Sequence, residues 1–94
     1  MSLGLEPPRV RFARHILNQR RRTEAHPDMS ILQVSMSQQV MAELLGVSRQ
    51  TVSSLVRDFE EHGLIHWRYG RIVILDLDGL RHIAKFAWEH QANP

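Results

Sequence analysis

Ser37-Gln38-Gln39-Val40-Met41-Ala42-Glu43-Leu44-Leu45-Gly46-Val47-Ser48-Arg49-Gln50-Thr51-Val52-Ser53-Ser54-Leu55 holds two helix starts and a helix stop in close succession. Ser37 fits an N-cap, its hydroxyl placed to accept from the free N–H groups of residues 39 or 40. The helix it starts, 38–45, carries Val40, Met41, Leu44 and Leu45 as apolar positions. Gly46 stops it, because glycine adopts the left-handed conformation after a helix without steric cost. Ser48 caps a second helix that runs to about Glu61, with Gly63 ending it. Ala42 is small where the two helices must approach, and Val47, Val52 and Leu55 are placed to pack the second onto the first. Two helices joined by so short a turn describe a helix-turn-helix.

Working outward, Leu64–Trp67 and Arg71–Leu75 are β-prone runs around Arg68-Tyr69-Gly70, which predicts a hairpin with Gly70 at φ > 0. Asp76 or Asp78 caps a last helix with Leu80, Ile83, Ala84 and Ala87 as its apolar stripe. Upstream, Ile31–Met36 alternates as a short strand, with Leu32, Val34 and Met36 on one face. Residues 23–30 are polar and turn-forming around Pro27-Asp28. Pro7-Pro8 opens a first helix in which Val10, Ala13, Ile16 and Leu17 recur at helical spacing, with Phe12 adding a second contact on the Ile16 side and Arg20-Arg21-Arg22 at the C-terminus. The expected fold is α+β: a winged helix-turn-helix, with a three- to four-helix core, a short strand and a β-hairpin wing. Residues 7–90 form the domain, 1–6 a linker or cloning remnant and 91–94 a tail.

The second helix of the pair is amphipathic in a way that suggests function. At ~100° per residue, Val52, Leu55, Val56 and Phe59 share one face, while Arg49, Gln50, Ser53, Ser54 and Arg57 cluster opposite. That polar face begins at the helix N-terminus, the end that a recognition helix points into the DNA major groove. A polar stripe alone is the solvated side of any amphipathic helix. The glycine turn, the small residue and both caps arriving together favour DNA recognition.

The segment SQQVMAELLGVSRQTVSSLVRDFEEHGLIHWRYGRIVILDLDGL resembles the C-terminal DNA-binding domain of Crp/Fnr-type bacterial transcription regulators. The likeness runs from about Pro7 to Leu80, most specifically in MAELLGVSRQTVSSLVRDFEEHGLI and in the wing GRIVI with the D-x-x-x-L helix start after it. It implies a fragment, since such regulators join this domain to a ligand-sensing β-barrel through a dimerisation helix. No cofactor is then expected here, and the effector belongs to the sensor. The implied partners are a palindromic duplex operator, a second copy in the full-length protein, and RNA polymerase. Arg49 matches the family arginine that reads guanine through O6 and N7. Gln50 stands where most members have Glu, and Ser54 where they usually have Arg, which implies an altered operator. Ser53 and Arg57 complete the base-reading set. The phosphate contacts implied are Ser37, Gln38, Gln39, Ser48 and Thr51, the wing residues Arg68, Tyr69 and Arg71, and Arg9 on the first helix. Arg11 and Arg14 are set aside as residues facing the dimerisation helix. Phe12, Ile16 and the last helix offer a partial dimer surface.

Composition bounds these readings. Ninety-four residues, 43% of them hydrophobic, suit one small domain with a single core. No apolar run approaches a membrane span, and the absence of cysteine excludes disulfide scaffolds and thiolate metal sites within these residues. Reducing cytoplasm is the expected location. The net charge of +2 hides an asymmetry, with six arginines and one acid in residues 1–22 but six basic and nine acidic residues after them. The expected basic surface combines Arg9, Arg49, Arg57, Arg68 and Arg71, with Glu60, Glu61, Asp76 and Asp78 elsewhere. The six histidines show no ligand spacing, so no metal site is expected. Trp67 is expected to pack the hairpin on the core. No nucleophile–base pair or phosphate loop accompanies a motif, so catalysis is not expected. The competing class is a winged helix that binds a protein instead of DNA, and salt-insensitive binding would mark it.

Overall fold

The computed structural model describes residues 6–23 and 33–92, with side chains in 6–20 and 35–85. In chain order the elements are α1 (Pro8–Thr23), β1 (Gln33–Ser35), α2 (Gln38–Leu45), α3 (Arg49–Glu61), β2 (Ile65–Arg68), β3 (Arg71–Ile74) and α4 (Leu77–Ala92). The winged helix-turn-helix expected from the sequence is present. Of the expected run 31–36, Gln33–Ser35 pair with β3 and Met36 lies past the strand, its N–H donating to Gly70 O at 2.8 Å, while residues 31 and 32 lie outside the described residues. Residues 24–32 lie outside the described residues, including most of the expected turn at 23–30.

Local chemistry sets each boundary. Val10 and Arg11 N–H both donate to Pro7 O, which starts α1 beside a proline that needs no partner there. Ser37 Oγ accepts from Val40 N–H at 3.1 Å, and Ser48 Oγ from Thr51 N–H at 3.1 Å. Gly46, at φ 68°, lets Val47 N–H turn back to Ala42 O at 3.0 Å. The same closure ends α3, where Gly63 at φ 67° brings Leu64 N–H to Phe59 O at 2.9 Å. Of the two candidate caps for α4, Asp76 does the capping: its Oδ1 accepts from Gly79 N–H at 2.9 Å.

The strands form one antiparallel sheet in the order β1-β3-β2. β2 and β3 are joined by two residues, Tyr69 and Gly70, at φ 53° and 74°, the type I′ pattern that matches strand twist. Arg68 therefore belongs to β2, opposite Arg71, and not to the turn.

The core gathers where α1, the helix pair and the inner face of the sheet meet. Phe12 is fully buried, edge-on to Phe59 at 4.7 Å and stacked on Trp67 at 6.0 Å with 7° between the planes. Trp67 thus packs the wing on the core as expected. One expectation fails. Phe12 and Ile16 are both 0% exposed and offer no dimer surface, since both belong to the core cluster and Phe12 packs on Phe59 and Trp67. On α2 only Met41, Ala42 and Leu45 are buried, whereas Val40 and Leu44 remain 43% and 46% exposed. In α4, Leu80 is buried, with Ile83 and Ala84 packed against the core; the side chain of Ala87 lies outside the described set.

Candidate nucleic-acid interface

The helix caps and the wing turn fix one exposed face. Val52, Val56 and Phe59 hold α3 in the core, which turns Arg49, Gln50, Ser53, Ser54 and Arg57 outward, all exposed. The first turn of α2, the first residue of α3 and the wing turn then border a single concavity. Among the described residues its lining is Ser37, Gln38, Gln39, Arg49 and Trp67–Gly70, none of them acidic. Gln38 Oε1 accepts from Ser53 Oγ at 3.1 Å, tying the first helix of the pair to the outer face of the second. This bond leaves the Gln38 amide NH2 as an outward donor. Ser37 is exposed beyond its capping bond, and Ser48 Oγ lies 3.0 Å from Thr51 Oγ1 at the start of α3.

The helix pair and the wing, which is distant from the start of the pair in sequence, thus bring most of the expected contact residues close to one another. Ser53 and Gln38 meet directly, Ser48 and Thr51 meet at the α3 start, and Tyr69 is 100% exposed at the wing tip. Arg71 is exposed on β3 opposite Ser35 and Arg68.

Arg9 stands apart. Its Nε lies 3.5 Å from Asp58 Oδ2, and it borders a different hollow with Val10, His82 and Ile83. Arg11 and Arg14 also have structural partners. Arg11 Nη1 donates to Leu45 O at 2.7 Å, satisfying a terminal carbonyl of α2, and Arg14 forms a two-pronged ion pair with Glu6.

Glu60 breaks the expected separation of acids from the basic surface. Its Oε2 accepts from Arg68 Nη1 at 2.7 Å and from Trp67 N–H at 2.9 Å, with His66 Nδ1 3.7 Å away. Burial alone raises the Glu60 pKa. The Trp67 N–H, the Arg68 guanidinium and His66 outweigh it and hold the carboxyl below its ordinary value. Sequence reasoning missed this contact, which joins the last turn of α3 to β2 across a turn with no helical spacing to reveal it.

Among the described residues no group of three His, Asp or Glu side chains is placed to hold a metal ion, and no helix is long and apolar enough to cross a membrane.

A family model described as a Crp-like helix-turn-helix domain matches residues 10–83. No curated protein matches the chain. Among solved structures it is similar to a transcriptional regulator of the CRP/FNR family from Thermus thermophilus, at 26% identity and TM-score 0.77, covering 88% of this chain and 43% of that one. A CRP-family transcriptional regulator from the same organism matches at 27% identity and TM-score 0.70, covering 85% and 41%. The Thermus thermophilus catabolite activator protein matches at 25% identity and TM-score 0.68, covering 85% and 35%. The chain thus spans less than half the length of each of these relatives.

Proposed function

The chain belongs to the Crp-like helix-turn-helix domain family, and from that premise we propose that it is the duplex-DNA-binding output domain of a Crp/Fnr-type transcription regulator. One observation carries the reading: the starts of α2 and α3 and the wing turn converge on one exposed concavity whose described lining residues include no acid. Several groups in that lining donate hydrogen bonds to a polyanion, and the Glu60 carboxylate beside Trp67 and Arg68 has its charge met by the Arg68 guanidinium.

In this reading α3 enters the major groove N-terminus first. Arg49 forms the two-pronged bond to guanine, and Gln50 suits adenine through its amide. Ser54 is too short for an arginine's reach, so Arg57 or a bridging water serves the neighbouring base, while Ser53 steadies Gln38. Ser37, Gln38, Gln39, Ser48, Thr51, Tyr69 and Arg71 position the domain on phosphates. Arg9, committed to Asp58, supplies a peripheral contact at most, and Arg68 is set apart by its pairing with Glu60. The domain takes residues 7–90, flanked by 1–6 and 91–94. In the longer regulator two copies place their α3 helices about 34 Å apart on a palindromic operator, where RNA polymerase is the further partner. A cytoplasmic location follows from this role.

Selection from a fully randomised duplex library tests the proposal. The expected product is a palindrome with guanine opposite Arg49 and changed bases opposite Gln50 and Ser54, bound less tightly as salt rises. Failure to retain any duplex, or salt-independent retention, overturns the reading. Recovery of the family's usual half-site unchanged removes the roles of Gln50 and Ser54.

A further inference from the structure

We propose that Glu60 withholds Arg68 from DNA, acting as an internal substitute for phosphate that limits sequence-independent binding by the wing. The inference rests on the DNA-binding reading above. Arg68 borders the concavity beside Arg49 and Tyr69, where a guanidinium is well placed for a phosphate. Its Nη1 instead donates to Glu60 Oε2 and to Trp67 O, both at 2.7 Å. Glu60 is held independently of this pair. β2 is an edge strand in the order β1-β3-β2, and the Trp67 N–H donates at 2.9 Å to the Glu60 carboxylate. The Glu60 side chain is 25% exposed, against 56% for that of Arg68, so the pair is partly sheltered from solvent.

The exchange brings little gain. Arg68 leaving Glu60 for a phosphate trades one charge-assisted hydrogen bond for another. It also leaves the Glu60 charge facing a polyanion without its partner. Counterion release, which rewards each newly neutralised phosphate, is offset by the newly exposed carboxylate. The wing therefore binds phosphate through Arg71 and Tyr69, and the base contacts of α3 carry a larger share of the total affinity.

A double-mutant cycle on random-sequence duplex tests this, with thermal melting as a check on folding. Glu60→Gln keeps an amide oxygen for the Trp67 N–H but gives up the charge. It is expected to tighten binding several-fold at low salt and to steepen the plot of log affinity against log salt by about 0.9. The gain is expected to vanish in the Glu60→Gln, Arg68→Ala double variant. Arg68→Ala alone is expected to change the slope much less than Arg71→Ala does. A Glu60→Gln slope equal to wild type overturns the assignment, as does a gain that survives in the double variant. Should Glu60→Gln melt out, the comparison of Arg68→Ala with Arg71→Ala decides: equal losses of slope overturn the proposal. If wild type retains no duplex at any salt, it is the DNA-binding reading that fails; if wild type binds and the cycle fails, only the role of Glu60 does.

Discussion

Tyr69 occupies a backbone conformation that bulky L-residues avoid, at φ 53°, with its side chain wholly in solvent. The left-handed region costs a residue with a Cβ about 1–2 kcal/mol, and an exposed ring returns no burial energy to the fold. Asparagine tolerates this position of a type I′ turn far better. Tyr69→Asn is therefore expected to stabilise the domain by roughly 0.5–1 kcal/mol in calorimetry while weakening duplex binding in titration. A variant that is less stable than wild type would remove the strain argument; unchanged affinity would remove the contact. The sequence located this turn only loosely, because an aromatic residue reads as a strand former and Gly70 alone signals positive φ. Glu60 was illegible for a different reason. Its partners Trp67 and Arg68 follow a chain reversal, and no local pattern records which charge such a reversal brings close.

At the scale of elements, α2 and α3 were the most legible part of the chain. Each has a serine before it and a glycine after it, so that a hydrogen-bond acceptor and a left-handed residue fix both ends independently of packing. Loss of one such cap has a measurable cost. Ser48→Ala is expected to lower stability by ~1 kcal/mol, with Ser48→Asn restoring most of it, in denaturant titrations; equal midpoints for Ser48→Ala and wild type would contradict the capping role. Periodicity was less reliable about which face of α2 is inside. Four apolar residues on so short a helix describe a stripe wider than its contact, and the partners that arrived chose Met41 and Leu45 over Val40 and Leu44. The role of α1 was similarly under-read. Its pattern announces a buried side, but not that Phe12 would be sandwiched between Phe59 and Trp67, nor that Arg11 would close the end of α2. Of the candidate contacts, those anchored by a cap or a turn were brought together, whereas Arg9, inferred from its place in α1 alone, lies at Asp58.

Among the described residues, His15 and Glu60 respond to acid with the same sign. α1 contains no acidic residue, and His15 sits within it, its pKa lowered by burial and then by Arg11 and Arg14. Below the ordinary value near 6.5 the unfolded chain takes up this proton more readily than the folded one, so stability declines as pH falls. Glu60 adds to this at lower pH. Its depressed value supplies stability above about 4.5 that is lost as pH drops through the folded value. Melting temperatures are therefore expected to fall in two stages on acidification, and His15→Gln is expected to flatten the first; a melting temperature that rises just below pH ~6.5 would contradict the His15 assignment, and one that rises below ~4.5 the Glu60 assignment. With Trp88 replaced by Phe, the stacking of Phe12 on Trp67 makes the domain self-reporting. An indole 4% exposed and lying parallel to a phenyl ring emits in an apolar setting, at shorter wavelength than one in water. Because the two rings belong to α1 and to the wing, their separation changes the colour of the emitted light even when every helix stays intact. The contact that joins the N-terminal helix to the hairpin is thus a built-in fluorophore, sensitive to a rigid-body displacement that backbone dichroism does not register.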